Sequence, residues 1–154
     1  MLQVKIGSMY VADEFLQKRV ESGWKAAEQD KTQRGRPKVL VVDDEKLIVD
    51  TISEILQGAG FHVMSAYDGW TAVEAAGRFR PDYLLSDVLM PRMNGVELAI
   101  AIRKMYPETT VLLFSGQAGI SEILRNSQQQ GFEFELIPKP IHPLKLIERL
   151  KEQS

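Results

Sequence analysis

Five polar residues of this sequence each follow a short apolar run, and their types suit a metal-binding pocket. Asp43 and Asp44 follow VLVV, Asp87 follows YLLS, Ser115 follows VLLF, and Lys139 follows LIP. Gathered in one place, three carboxylates would repel one another and raise one another's pKa unless a cation offset their charge. The pattern therefore predicts a divalent cation bound by carboxylate oxygens, with a hydroxyl and an ammonium beside it.

Magnesium is the cation that these ligands favour. The chain contains no cysteine, so a metal site has only oxygen ligands and two histidines available. Oxygen ligands favour hard cations over zinc. Calcium is less suitable, because so few carboxylates leave several coordination positions for water and phosphate. We expect Mg²⁺, with Mn²⁺ able to substitute, and we expect His62 and His142 to be structural or solvated, since neither has a partner at metal-ligand spacing.

The five residues converge only if the apolar runs are strands of one parallel sheet, because the carboxyl ends of such strands share an edge. Strand-length apolar runs alternate with helical patterns along the chain, which predicts repeated βα units. The predicted strands are Val39 to Val42, His62 to Ala66, Tyr83 to Ser86, Val111 to Phe114 and about Phe134 to Ile137. Helices are predicted around Ile48 to Leu56 and at about Trp70 to Phe79, Val96 to Met105, Ile120 to Gln130 and Leu144 to Lys151.

A polar segment, DKTQRGRPK, separates the start of the chain from these elements. It lacks apolar periodicity and contains Gly35 and Pro37, which indicates a linker. We expect an N-terminal extension over residues 1–37 and an α/β domain over residues 38–154. Apolar residues at helical spacing predict an amphipathic helix over residues 10–29, either as a frayed extension or as an arm that docks on a partner or a second copy. Trp24 and Trp70 are expected to be packing residues.

Composition limits the classes of function. The 154 residues are 44% hydrophobic, enough for one buried core, and their formal net charge is −2. Neither segment is basic enough to indicate direct binding of nucleic acid. No apolar run reaches the length of a membrane span, and acidic and basic residues interrupt the N-terminus early, unlike a secretory signal. We therefore expect a soluble, cytoplasmic protein without a membrane partner.

Four motifs resemble those of one family, the response-regulator receiver domain. VLVVDDE, SDVLMPRMNG, Ser115 after VLLF, and PKP at residues 138–140 stand in that family's order and at close to its spacing, over about residues 38–152. The resemblance implies a flavodoxin-like (βα)5 fold with a doubly wound parallel sheet of strand order 2-1-3-4-5. It also implies a phosphoacceptor of a two-component phosphorelay that signals by a phosphorylation-dependent conformational change and catalyses only its own phosphorylation and dephosphorylation.

The same resemblance assigns roles to the acidic residues. It implies that Asp87 is the phosphoacceptor, a carboxylate nucleophile that becomes an acyl phosphate. Asp44, Asp87 and the backbone carbonyl of Leu89 would hold magnesium directly, and Asp43 would assist through water. In the loop after Asp87, Gly95 is expected to permit backbone angles closed to other residues, and Asn94 to cap the following helix.

Three further residues receive roles by resemblance. Lys139 would neutralise one phosphoryl oxygen and Ser115 would hydrogen-bond another. Pro140 would follow a cis peptide bond that directs Lys139 into the pocket.

Two positions depart from the family pattern. The fifth strand of a receiver usually carries an aromatic switch residue three positions before the lysine, whereas this chain has Leu136 there and Phe134 two residues earlier. We expect Ser115 and Leu136 to carry the switch instead. Leu89 is apolar and cannot orient a hydrolytic water, so phosphate loss should be slow, with Gln117 the only polar candidate nearby.

Two other functions use related α/β folds. A magnesium-dependent phosphatase with an Asp nucleophile is the main alternative, but its class expects a second Asp where this chain has Leu89. A flavin-binding module would need a phosphate loop rich in small residues after the first strand, where Asp43 and Asp44 stand. The partners expected for a receiver are a histidine kinase or a histidine phosphotransfer protein, a downstream target on the face of helix four, strand five and helix five, and a second copy in a homodimer.

Overall fold

Five parallel strands organise the larger part of the computed structural model, which describes residues 3–6, 9–12, 35–116 and 120–152. The strands are β3 (Lys38–Val42), β4 (His62–Ala66), β5 (Tyr83–Asp87), β6 (Thr110–Ser115) and β7 (Glu135–Pro138). They lie in the order β4-β3-β5-β6-β7, and all neighbouring pairs are parallel. Numbered from β3, this is the order 2-1-3-4-5, so the flavodoxin-like prediction is confirmed.

Four helices connect these strands, and a fifth follows the last strand. They are α1 (Lys46–Gly58), α2 (Gly69–Phe79), α3 (Gly95–Met105), α4 (Ser121–Gln129) and α5 (Pro143–Glu152). Each agrees with the sequence prediction to within about two residues, because apolar residues at helical spacing also form the buried face of each helix. No helix in the described part of the chain is long and apolar enough to cross a membrane.

Alternate residues of the strands pack into two separate cores. In β3, Val39 and Val41 join a cluster with residues of α1 and α5, whereas Leu40 and Val42 join a cluster with residues of α2 and α3. Strand side chains alternate between the faces of a sheet, so helices on both faces bury both sets. The sheet is therefore covered on each side, which leaves the edge at the carboxyl ends of the strands for a site.

Residues 1–36 and 37–154 form two separate compact units. In the first unit, β1 (Gln3–Ile6) and β2 (Met9–Ala12) pair as an antiparallel hairpin. The helix predicted over residues 10–29 is therefore wrong at its start, since residues 10–12 belong to β2. Pairing with a second strand supplies backbone hydrogen bonds that a pattern confined to one segment does not reveal. Residues 13–29 of that prediction, with Trp24, lie outside the described residues.

Candidate functional site

The three acidic side chains predicted to share a pocket do converge. Ligand oxygens of Asp43, Asp44 and Asp87 all lie within 4.8 Å of one another. Asp43 and Asp44 follow the end of β3, and Asp87 ends β5, which lies beside β3 in the sheet. The parallel pairing of these central strands brings the carboxylates together.

Lys139 reaches into this cluster from the end of β7. Its Nζ lies 3.3 Å from Oδ1 of Asp87 and 3.5 Å from Oδ2 of Asp43. The backbone amide of Lys139 donates to the carbonyl oxygen of Ser115, at 2.8 Å, so the ends of β6 and β7 also meet here. The peptide bond between Lys139 and Pro140 is cis, which confirms that part of the prediction.

Burial makes the cluster electrostatically costly. Asp43 is 1% exposed and Asp87 is 8% exposed, whereas Asp44 is exposed to solvent. Desolvation, together with repulsion from Asp87, raises the pKa of Asp43 to about 6 against the lowering effect of its hydrogen bond from the Glu45 amide and of Lys139. Desolvation also raises the pKa of Asp87, partly offset by Lys139. Burial lowers the pKa of Lys139, but the carboxylates of Asp43 and Asp87 outweigh it and raise that pKa.

A magnesium ion fits this donor set. Three convergent carboxylates supply only oxygen ligands, and a single ammonium balances them incompletely. A hard divalent cation prefers oxygen ligands and balances the remaining negative charge, with water in its other coordination positions. Asp43, Asp44 and Asp87 are the residues that would hold it.

The loop after Asp87 is shaped by a close approach of its two ends. A Cβ at residue 95 would overlap the backbone carbonyl oxygen of Asp87, so only glycine fits there. The expectation that Gly95 is required for its backbone angles is wrong, because its φ is not positive. The residue of this loop with positive φ is Arg92, at 69°. The Gly95 amide donates to the carbonyl of Val88 at 2.8 Å, which closes the loop. Asn94 caps α3 in a reciprocal capping box with Glu97, as predicted.

The other predicted site residues differ in burial and position. Ser115 ends β6 and is half-buried. Leu89 is 41% exposed and Leu136, on β7, is 36% exposed. Phe134 precedes β7 and packs against the core on the α2 and α3 side of the sheet, rather than lying on the strand with Leu136. Gln117 lies outside the described residues.

Sequence reasoning missed a contact beside the pocket. The hydroxyl of Tyr67, the residue after β4, donates to Oδ1 of Asp50 on α1 at 2.6 Å. The two residues are 17 positions apart, and neither belongs to a recognisable motif, so no spacing signal was available. Trp70 was also misjudged as a packing residue, since it is 65% exposed at the start of α2.

The fold and the acidic cluster define a class of protein, and comparison with known families identifies it. The profile of the response regulator receiver domain matches residues 39–151. The chain belongs to this family, and its larger unit is a receiver domain of the two-component type.

Solved structures of receivers are similar to this chain. Chemotaxis protein CheY4 of Vibrio cholerae is 32% identical, with a TM-score of 0.68, over 77% of this chain and 98% of that one. A receiver domain protein of Methanospirillum hungatei is 27% identical, with a TM-score of 0.69, over 77% and 94% of the two chains. NtrX of Brucella abortus is 29% identical, with a TM-score of 0.65, over 76% of this chain but 26% of its own length. Receivers like this one thus occur both as nearly whole chains and within longer regulators.

Proposed function

We propose that this receiver takes a phosphoryl group from a phosphohistidine onto Asp87. The donor would be a histidine kinase or a histidine phosphotransfer protein. The observation that carries the proposal is the convergence of Asp43, Asp44 and Asp87 within 4.8 Å, with the Lys139 ammonium 3.3 Å from Asp87. Membership of the receiver family supports the same role.

The reaction is an in-line displacement at phosphorus. A carboxylate oxygen of Asp87 attacks the phosphorus as the bond from phosphorus to the histidine nitrogen breaks, and that nitrogen keeps the electron pair. The products are an acyl phosphate and an imidazole, which leaves neutral when its other ring nitrogen carries a proton. Burial of Asp87 favours the reaction, because water stabilises its carboxylate poorly. The charge of the acyl phosphate product would instead be stabilised by the bound cation.

Three groups stabilise the charge on the transferred phosphoryl group. A magnesium ion held by Asp43, Asp44, Asp87 and the carbonyl of Leu89 would supply positive charge to its oxygens. Lys139 leaves its ion pair with Asp87 to contact a second oxygen, and the Ser115 hydroxyl donates to a third. The protein would thus catalyse its own phosphorylation and dephosphorylation.

Phosphorylation of Asp87 signals through Ser115. When the Ser115 hydroxyl turns to the phosphoryl oxygen, it draws the end of β6 inward and shifts α4 against Leu136. The face formed by α4, β7 and α5 would then bind a downstream protein or a second copy of the chain.

Addition of beryllofluoride should move the amide chemical shifts of residues 118–137 as well as those of the pocket. Changes confined to the pocket would count against this switch.

Acetyl phosphate tests the central proposal. Incubation with acetyl phosphate and Mg²⁺, followed by intact mass measurement, should add one phosphoryl group to the wild-type chain and none to Asp87→Ala. Omission of Mg²⁺ should abolish the addition. Turnover of many equivalents of phosphate without a stable adduct would instead support the magnesium-dependent phosphatase. Equal addition to the wild type and to Asp87→Ala would overturn the assignment of Asp87.

A further inference from the structure

A tyrosine and an aspartate that the phosphoryl chemistry does not use join the start of α1 to the end of β4. The Tyr67 hydroxyl donates to Oδ1 of Asp50 at 2.6 Å, and Nζ of Lys46 lies 5.4 Å from the centre of the Tyr67 ring. Oδ2 of Asp50 is buried and has no hydrogen-bond partner in the described part of the chain. A buried carboxylate is costly without a partner, so the bond from Tyr67 strongly favours this one placement of α1 against β4.

The start of α1 has few other polar restraints. Its N-cap, Glu45, makes no side-chain cap hydrogen bond, and its first turn contains no acidic residue. The helix begins with backbone bonds from the amides of Ile48 and Val49 to the carbonyl of Glu45, at 3.1 and 3.2 Å. An uncapped helix end frays readily. The contact between Tyr67 and Asp50, one turn into the helix, therefore limits this fraying.

The position of this helix start is transmitted to the acidic cluster. The amide of Glu45 donates to Oδ1 of Asp43 at 3.0 Å, and the amide of Asp43 approaches the carbonyl of Ala66 at 3.4 Å. Ala66 precedes Tyr67 directly, and Glu45 precedes α1 directly. The loop that carries Asp43 and Asp44 is thus held between the two segments that Tyr67 and Asp50 join.

We propose that Tyr67 and Asp50 are positioning residues that preorganise Asp43 and Asp44 for magnesium. The inference rests on the proposed function, because it concerns the same acidic cluster. With the pair intact, the carboxylates of the loop face Asp87 before the ion arrives. Without it, binding must also order the loop, and the affinity for Mg²⁺ falls.

A second hydrogen bond between α1 and β4 provides a matched control. The hydroxyls of Ser53, on α1, and Ser65, on β4, lie 2.7 Å apart. Ser53 follows Asp50 by three residues, and Ser65 precedes Tyr67 by two. Ser65→Ala removes a side-chain bond between the same two elements, but one that joins α1 about one turn further from the loop that carries Asp43 and Asp44. It should lower stability as Tyr67→Phe does without changing the acidic cluster.

The test compares Tyr67→Phe with Ser65→Ala in the full chain. Tyr67→Phe keeps the ring beside Lys46 and removes only the hydroxyl. Calorimetric titration with Mg²⁺ should give a dissociation constant about ten times the wild-type value for Tyr67→Phe and an unchanged value for Ser65→Ala. In the metal-free protein, hydrogen exchange of the Ile48 and Val49 amides should be faster in Tyr67→Phe alone. The double variant Tyr67→Phe with Asp50→Ala should bind Mg²⁺ no more weakly than the more affected single variant.

The outcomes separate this inference from the proposed function. Asp44→Asn should abolish Mg²⁺ binding, and if it does so while Tyr67→Phe binds like the wild type, the positioning role is wrong and the metal site stands. Equal weakening by Tyr67→Phe and Ser65→Ala would also overturn the positioning role, because packing of α1 in general would then explain it. If the wild type binds no Mg²⁺, the proposed function fails, whereas the exchange of the metal-free protein still decides whether the pair holds the helix start.

Discussion

The buried carboxylate of Asp43 lowers the stability of the metal-free protein. Its carboxylate is almost fully buried beside Asp87, so the charged form is disfavoured in the folded protein and its pKa rises to about 6 from 3.8. Between these two values the folded state binds more protons than the unfolded state, and the stability that Asp43 contributes falls as the pH rises. Above about pH 6 the full cost is present, and a bound cation would offset it.

Replacement of Asp43 should therefore stabilise the metal-free protein. We expect Asp43→Asn to raise the free energy of unfolding by about 1–2 kcal/mol at pH 7, because it removes a buried charge that burial and Asp87 disfavour more than Lys139 favours it. The gain should shrink as the pH falls towards 4. Urea unfolding in EDTA measures it, with Glu54→Gln on the exposed side of α1 as a control expected to change little. A gain that does not vary with pH would contradict the titration of Asp43.

Leu89 should set the lifetime of the phosphorylated state. Its side chain is 41% exposed in the loop after Asp87 but cannot hydrogen-bond a water that attacks the acyl phosphate. A positioned polar group commonly contributes ~10²–10⁴-fold to such a step, so we expect Leu89→Asn to hasten dephosphorylation at least about tenfold. Decay of the adduct, followed by intact mass after removal of acetyl phosphate, gives the rate. Met105→Asn, at another exposed apolar residue, should keep the wild-type lifetime, and an unchanged lifetime in Leu89→Asn would refute the role of this position.

Among the elements, the loop from β5 to α3 depends most on a single residue. A side chain at residue 95 would overlap the Asp87 carbonyl, so Gly95→Ala must displace the phosphoacceptor or the start of α3. We expect a loss of about 2–4 kcal/mol in unfolding free energy and slower phosphorylation by acetyl phosphate. Gly77→Ala is the matched control, because nothing lies within 4 Å of a Cβ there in α2. That variant should gain about 0.5–1 kcal/mol, and equal behaviour of the two variants would contradict the close approach.

The sequence allowed these elements to be predicted where one periodicity dominated. The strand His62–Ala66 and the end of α3 at Met105 agree with their predicted bounds, because apolar runs and breakers mark them locally. The convergence of the three carboxylates was predicted from the parallel arrangement of the strands, whose carboxyl ends share an edge. Contacts between distant elements were beyond this reasoning: the bond between Tyr67 and Asp50 requires the packing of α1 on β4, and the hairpin strand Met9–Ala12 requires its partner strand.

At the scale of the molecule, both cores are formed within the receiver. Every buried residue of the two clusters lies between Val39 and Leu150. Near the start of the receiver, the His62 amide donates a hydrogen bond to the carbonyl of Pro37, at 3.0 Å. This bond lies beside the pairing of Lys38 with His62 in the sheet.

Removal of residues 1–34 should leave the receiver folded and competent, because residues 37–154 form a compact unit of their own. We expect the thermal unfolding midpoint of the shortened chain to stay within about 4 °C of that of the full chain, which corresponds to a change of roughly 1 kcal/mol. Its rate of phosphorylation by acetyl phosphate and its affinity for Mg²⁺ should also be unchanged, since the four charged groups of the pocket all lie between Asp43 and Lys139. Calorimetry and intact mass on both chains provide the comparison. A midpoint lowered by more than about 10 °C would mean that the N-terminal unit stabilises the receiver, whereas a changed phosphorylation rate at equal stability would mean that it regulates the pocket.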